Sequence, residues 1–126
     1  MSTDFNRKNG QMYCEDLPLN SLADEYETPL YVYSQNHFQS RIQAFDDALE
    51  GIPHEICYAV KCNGNLAVLN RMADIGSGFD IVSGGELKRV LEAGGDPSKV
   101  VYAGVGKTRE EQELALDADI MMFNVE

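Results

Sequence analysis

Lys61 is the first residue of this sequence whose type and position suggest chemistry. It directly follows the apolar run from Ile56 to Val60. We predict that Lys61 ends this strand, so alternation places it on the same face as the small residues Cys57 and Ala59, which leave room for a bound molecule. Partial desolvation there would lower the pKa of the lysine, and a free amine attacks a carbonyl to form a Schiff base. A strand-end lysine that simply reaches water is the alternative.

Asp80 is the second candidate, because it lies between Phe79 and Ile81 in the next predicted strand. A carboxylate in an apolar strand is costly unless it is paired or solvated. Alternation places Asp80 on the face opposite to its two apolar neighbours, so it faces the strand that carries Lys61 if those neighbours pack on the helix layer. We therefore predict a shared site, with a solvated strand-edge aspartate as the alternative.

Two glycine-containing turns are weaker signals. Residues 83–86, Ser-Gly-Gly-Glu, lead into a helix and could present backbone N–H groups to an anion. Residues 104–108, Gly-Val-Gly-Lys-Thr, resemble the end of a phosphate-binding P-loop, but Val101 stands where that motif requires a glycine. The sequence therefore excludes a P-loop nucleotide triphosphatase.

The elements that position these residues alternate between apolar runs and helical patterns with a period of about 22 residues, which is typical of βα units around a parallel sheet. Strands are predicted at residues 55–61, 78–83, 100–104 and 120–125, and helices at residues 66–73, 86–93 and 109–117. An open doubly wound sheet and the first half of a (β/α)8 barrel both fit. In either fold the carboxyl ends of the strands share one edge, which adds Asn124 and Glu126 as possible pocket residues.

The N-terminal part has less regular patterning. The first 29 residues are polar and are predicted to be irregular, and a short strand is predicted from Leu30 to Tyr33. Ser34 can cap a helix whose apolar positions recur at helical spacing, namely Phe38, Ile42, Phe45 and Leu49.

The charge, the apolar runs and the cysteines of the chain limit the kinds of binding partner to be expected. The 126 residues carry a formal net charge of −11, which disfavours binding to nucleic acid and to anionic membranes. No apolar run approaches the ~20 residues that span a bilayer, and the N-terminus has no secretory pattern. The three cysteines have no zinc-site spacing, so no metal is expected and free thiols in the cytoplasm are the expectation.

Several motifs, in order, resemble those of the diaminopimelate decarboxylase family, within the pyridoxal-phosphate (PLP) decarboxylases of the alanine racemase fold. They are Tyr-Ala-Val-Lys-Cys-Asn at residues 58–63, the run at 78–87, the turn at 104–108, residues 123–126, and the entering segment at 28–33. The resemblance covers the chain from about residue 10 onward and implies the N-terminal half of a PLP-binding (β/α)8 barrel.

The resemblance implies that Lys61 holds PLP as a Schiff base, with Ala59, Asp80 and Ser83 near the cofactor. It implies that Asp80 and Glu86 support Lys61 in catalysis. The implied reaction is decarboxylation of meso-2,6-diaminopimelate to L-lysine, the last step of lysine biosynthesis, by a homodimeric carboxy-lyase. No nucleic-acid or membrane partner is implied.

Because the sequence departs from the family pattern at two positions, it does not decide which amino acid is the substrate. Cys62 stands where diaminopimelate decarboxylases usually have alanine and ornithine decarboxylases have cysteine, and Gly64 replaces a common serine. An ornithine- or arginine-type decarboxylase is therefore an alternative, although the Ser83–Glu86 turn favours the diaminopimelate enzyme. A non-catalytic PLP-binding protein, a cofactor-free Schiff-base aldolase and a purely structural half-barrel also fit the residues.

The resemblance also sets an expectation for domain organisation. Residues 1–33 are expected to contribute to a β domain, and residues 34–126 to form the first four βα units of the barrel. Family members are much longer and complete the barrel. We therefore expect the chain to be a truncated N-terminal part, inactive by itself.

Overall fold

The computed structural model describes residues 4–125 and divides into two units, residues 1–41 and 42–126. The first unit contains strands β1 (Phe5–Lys8), β2 (Gln11–Cys14) and β3 (Leu17–Pro18) and helix α1 (Leu19–Tyr26), and helix α2 (Gln35–Ala48) spans the division. The second unit contains strands β4 (Cys57–Ala59), β5 (Gly78–Ile81), β6 (Val100–Tyr102) and β7 (Met122–Phe123) and helices α3 (Leu66–Asp74), α4 (Gly84–Glu92) and α5 (Arg109–Asp117).

The first unit contains an antiparallel sheet in the order β1-β2-β3, so the prediction of an irregular first 29 residues is wrong. The β1–β2 hairpin turns at Asn9 and Gly10, which both have positive φ, at 51° and 81°. Asn-Gly is the preferred pair for such a two-residue turn, because both positions need a left-handed backbone. That dipeptide was the signal for the hairpin, although the flanking strands are too polar to be recognised by hydrophobicity.

The segment before α2 also differs from the prediction. Residues 30–33 are assigned to no strand, whereas a strand was predicted there. The predicted helix cap is confirmed, because the Ser34 hydroxyl accepts a hydrogen bond from the His37 N–H at 3.0 Å. The helix ends at Ala48, and Gly51 follows with a φ of 81°.

The second unit is built on a parallel sheet in the order β4-β5-β6-β7, with one helix following each of its first three strands. The predicted strands and helices are all present, and α5 has the predicted bounds. Each strand ends earlier than predicted, because the last residues of each predicted run belong to the connecting loops. Those loops lie at the carboxyl edge of the sheet.

The core of the second unit lies between the sheet and its helices. Phe79 and Ile81 of β5 are fully buried, as are Val100 and Tyr102 of β6. The helices contribute a further set of buried apolar side chains to this core: Leu69, Met72, Leu87, Val90 and Ala115. This packing fixes β5 and β6, and therefore fixes the loops at their carboxyl ends.

Between residues 4 and 125, none of the helices has the length and apolar character needed to cross a membrane.

Candidate functional site

The candidate site lies at the carboxyl edge of the parallel sheet. Ala59 lies opposite Asp80, Asp80 opposite Val101, and Tyr102 opposite Phe123 across successive strand pairs. Because the strands are parallel, their following loops meet at one edge. The structure therefore brings the predicted site segments to neighbouring positions, although Glu126 lies outside the described residues.

Lys61 lies just beyond β4, and this differs from the prediction. The strand ends at Ala59, and residues Val60–Cys62 form a 3-10 turn. Strand alternation therefore does not extend to Lys61, so the argument that placed it on the face of Cys57 and Ala59 is wrong. The lysine is exposed, and the predicted partial desolvation is not observed.

The turn that carries Lys61 is nevertheless well anchored. Val60 is buried, with 1% of its surface exposed, and Asn63 donates its N–H to the Val60 carbonyl at 3.1 Å. The Tyr58 hydroxyl donates to the Asn63 carbonyl at 3.2 Å. Among the described residues, the Lys61 amine forms no hydrogen bond or ion pair, so it is available to an incoming ligand.

Asp80 occupies the face that alternation predicted. It is half-buried, whereas Phe79 and Ile81 on either side are fully buried. Its partner across the parallel pair is Ala59, two residues before Lys61. In the described chain Asp80 and Lys61 share adjacent strand ends without a direct hydrogen bond or ion pair.

The turn from Ser83 to Glu86 is held by the chain's own side chains. The Ser83 hydroxyl caps α4 by accepting the Glu86 N–H at 3.2 Å, and the Glu86 carboxylate accepts the Val82 N–H at 2.7 Å. The Gly84 N–H donates to the Glu111 carboxylate at 2.8 Å. Three backbone donors that could have met an external anion are therefore already bound within the protein.

Lys107 joins the ends of β6 and β7. Its Nζ donates to the Gly104 carbonyl at 2.5 Å and to the Asn124 carbonyl at 2.8 Å, and it lies 5.6 Å from the centre of the Tyr102 ring. The Tyr102 ring stacks in turn on Phe123, with ring centres 5.7 Å apart. This lysine thus connects the loop after β6 to the end of β7.

A cavity of about 450 Å³ lies beside these two strand ends. Its lining includes Gly104, Lys107, Phe123 and Asn124. Asn124 is exposed, and its N–H donates to the Tyr102 carbonyl at 2.9 Å. The prediction that Asn124 lies at the edge shared with Lys61 is confirmed by position.

Glu111 hydrogen-bonds to the loop after β5 and to the loop after β6, and the sequence did not single it out. Hydrogen bonds from the Thr108 N–H and then the Gly84 N–H hold the pKa of its carboxyl below the usual value. Thr108 and Glu111 form a capping box, and Thr-x-x-Glu is the sequence signature of that box. The link to Gly84 had no sequence signal, because the two residues are 27 positions apart.

Between residues 4 and 125, no group of three or more His, Cys, Asp or Glu side chains is placed to hold a metal ion.

Comparison with known proteins identifies relatives of this chain. Residues 35–126 match the family described as pyridoxal-dependent decarboxylase, pyridoxal binding domain. A diaminopimelate decarboxylase from Vibrio cholerae is 58% identical over 120 residues, which are 95% of this chain and 29% of the relative. A diaminopimelate decarboxylase from Pseudomonas fluorescens is 52% identical over 122 residues, which are 97% of this chain and 29% of the relative.

Two solved structures are also similar to this chain. A crystal structure from Aquifex aeolicus superposes with a TM-score of 0.91 at 44% identity, covering 97% of this chain and 30% of that chain. Diaminopimelate decarboxylase from M. jannaschii in complex with L-lysine gives a TM-score of 0.85 at 35% identity, covering 96% of this chain and 29% of that chain. This chain thus spans less than a third of the length of these relatives.

The comparisons confirm the predicted α/β class and the predicted N-terminal half of a PLP-binding barrel. They also remove the cofactor-free aldolase, because the matching family binds pyridoxal phosphate. The match covers residues 35–126, well over half of the chain. The chain therefore belongs to the family of pyridoxal-dependent decarboxylases, and its residues 35–126 match the pyridoxal-binding domain of that family.

Proposed function

We propose that the protein carrying this chain decarboxylates meso-2,6-diaminopimelate to L-lysine, with PLP held at Lys61. The observation that carries the proposal is the exposed Lys61 amine at the end of β4, beside the strand that carries Asp80. Two relatives named diaminopimelate decarboxylase are 52% and 58% identical, and the M. jannaschii relative was crystallised with L-lysine. These similarities support the choice of substrate.

The residues present fit PLP at its aldehyde. The Lys61 amine has no competing partner among the described residues, and its anchored turn fixes the backbone from which the side chain extends. The turn after β5 does not fit the phosphate of PLP in the same way. Its Val82, Gly84 and Glu86 N–H groups are already bound by side chains of the protein. We infer that the phosphate is held elsewhere than by these three donors.

The reaction breaks the bond between the α-carbon and its carboxylate, releases CO2 and adds one proton to the same carbon. When bound, PLP supplies an electron sink for the pair left on that carbon. Lys61 would hold the cofactor covalently through its Nζ. Half-buried Asp80 would line the site from the neighbouring strand, where it lies opposite Ala59.

Glu86 and Ser83 support the site through the turn that they cap. Glu86 bonds the Val82 N–H and thereby fixes the backbone just after β5. Ser83 fixes the first turn of α4 by bonding the Glu86 N–H. We propose that both residues keep the end of β5 in place beside the cofactor, with Ala59 providing the space next to Asp80.

The organisation and setting of the protein are part of the same proposal. We propose that residues 1–33 contribute to a β domain and that residues 34–126 are the first four βα units of the barrel. The antiparallel sheet β1-β2-β3 supports the first assignment, and the parallel sheet supports the second. We further propose a cytoplasmic homodimer with a small amino-acid substrate, and the net charge of −11 supports the absence of a nucleic-acid partner.

A substrate panel tests the proposal. The full-length protein, loaded with PLP, is incubated separately with meso-diaminopimelate, L-ornithine, L-arginine and L-lysine, and CO2 release and the amine products are measured. We expect L-lysine from diaminopimelate at the highest kcat/KM, and no turnover in Lys61→Ala. Preferential turnover of ornithine or arginine would contradict the substrate assignment and would favour the ornithine- or arginine-type enzyme suggested by Cys62.

A further inference from the structure

The carboxylate of Glu111 connects the loops that follow two different strands. Its Oε1 accepts the Gly84 N–H at 2.8 Å, in the loop after β5. Its Oε2 accepts the N–H and the hydroxyl of Thr108, both at 3.0 Å, in the loop after β6. Both oxygens are therefore engaged, and the two loops are joined through one side chain. Charge-assisted hydrogen bonds of this kind are stronger than those between neutral groups.

Gly84 is sterically matched to this carboxylate. A Cβ added at position 84 would lie 2.9 Å from Cγ of Glu111, closer than real Cβ contacts allow. Gly84 is buried and its φ lies outside the positive range, so a methyl group there acts through this contact and not through backbone strain. An alanine at position 84 would therefore displace the Glu111 carboxylate while leaving its charge in the protein.

The contact fixes the segment that connects β5 to α4. Glu86 holds the Val82 N–H at one end of this segment, and Glu111 holds the Gly84 N–H in its middle. Asp80 lies two residues before Val82, on the strand beside Ala59. The position of Asp80 relative to the end of β4 therefore depends on how firmly the loop after β5 is held.

We propose that Glu111 is a positioning residue for the cofactor site, acting through Gly84 to hold the end of β5 beside Lys61. This inference rests on the proposed function, since it assumes that PLP binds at Lys61. Glu111 reaches the site from the outer helix α5 and acts through the backbone of another loop. Its effect should therefore appear in cofactor affinity, with little change in the KM for the amino acid.

Four variants of the full-length protein test the inference: Glu111→Ala, Glu111→Gln, Gly84→Ala and the control Glu110→Ala. Glu110 is an exposed carboxylate next to Glu111 on the same helix turn. The readouts are the dissociation constant for PLP, the yield of borohydride-trapped PLP at Lys61, kcat and KM, and the thermal midpoint. Losing the Gly84–Glu111 contact should let the end of β5 move away from Lys61, so we expect PLP binding about tenfold weaker in Glu111→Ala and in Gly84→Ala.

Glu111→Gln should recover part of the affinity, because its amide oxygen can still accept the Gly84 N–H. Glu110→Ala should bind PLP as the unchanged protein does. If both Glu111→Ala and Gly84→Ala bind PLP with unchanged affinity, or lower only the thermal midpoint, the inference is overturned. Should Glu111→Ala not fold, Gly84→Ala and Glu111→Gln decide the matter by the same criterion.

The two proposals can fail separately. If the protein binds PLP at Lys61 but decarboxylates nothing in the panel, the proposed reaction fails while the affinity comparison still tests Glu111. If Lys61 does not bind PLP, the proposed function fails at its cofactor site and the positioning role fails with it.

Discussion

The Nζ of Lys107 bridges the carbonyls of Gly104 and Asn124, and it thereby joins the ends of β6 and β7. The two strands themselves share a short register, in which Val101 lies opposite Met122 and Tyr102 opposite Phe123. Because this ladder is so short, contacts outside it contribute much of what holds the two strands together. The lysine adds two charge-assisted hydrogen bonds and a cation–π contact to that pair.

Lys107→Met should therefore loosen the end of β7. Removal of the ammonium leaves two strand-end carbonyls with one donor fewer, so we expect a loss of about 1–3 kcal/mol in the free energy of unfolding. Urea unfolding of the protein measures the loss. Lys88→Met is the matched control, because Lys88 is an exposed lysine on α4, and it should change stability by less than about 0.5 kcal/mol. Equal effects of the two substitutions would contradict the bridging role.

Gly78→Ala should destabilise the start of β5 by overpacking. A Cβ there would lie 2.6 Å from the Lys99 carbonyl oxygen and 2.8 Å from the Cys57 sulfur. The backbone of the neighbouring strand region cannot give way freely, so we expect a loss of about 1–3 kcal/mol. Gly106→Ala is the control, because a Cβ at that position has no neighbour within 4 Å. Denaturant midpoints that are equal for the two variants would count against this packing.

His54 should make stability depend on pH. Its Nδ1 lies 2.7 Å from the Ile52 carbonyl and its Nε2 lies 3.1 Å from the Asp46 carboxylate, so only the protonated ring donates to both. These two interactions raise the pKa of His54, with a smaller contribution from the charge of Glu55. Glu55 is itself paired with Lys99 at 3.2 Å, in a cavity of about 240 Å³ that His54 and Asp46 also line.

Because the folded pKa is raised, this stabilisation is fully present below the unfolded pKa of about 6.5 and is lost as the pH rises through the folded pKa. NMR titration of the imidazole should give a pKa above that of an unperturbed histidine. Asp46→Asn should lower it toward the unperturbed value. A His54 pKa that does not respond to Asp46→Asn would show that the carboxylate does not hold the ring.

The alternation of strands and helices could be predicted because the second unit has buried strands with nearly continuous apolar runs. The antiparallel sheet of the first unit could not be recognised in the same way, since its strands contain residues such as Arg7, Lys8 and Gln11. Only the Asn9-Gly10 turn carried a local signal there.

The candidate site, too, could be predicted only in part from the sequence. Lys61 and Asp80 could be singled out because they are polar residues that follow or interrupt apolar runs of the sequence. The predicted parallel topology placed them on neighbouring strands or just beyond them. The 3-10 turn at Lys61 could not be predicted, because the apolar run continues to Val60 after β4 has ended. The Glu111–Gly84 hydrogen bond depends on the packing of α5 beside α4, which no local pattern reports.

Covalent trapping at Lys61 tests the central claim most directly. The protein is incubated with PLP, reduced with borohydride and digested, and the labelled lysines are quantified by mass spectrometry in the unchanged protein, in Lys61→Ala and in the exposed control Lys88→Ala. We predict labelling concentrated at Lys61, its loss in Lys61→Ala and its retention in Lys88→Ala. Labelling spread over the lysines, or unchanged total labelling in Lys61→Ala, would contradict the assignment of Lys61 as the residue that holds the cofactor.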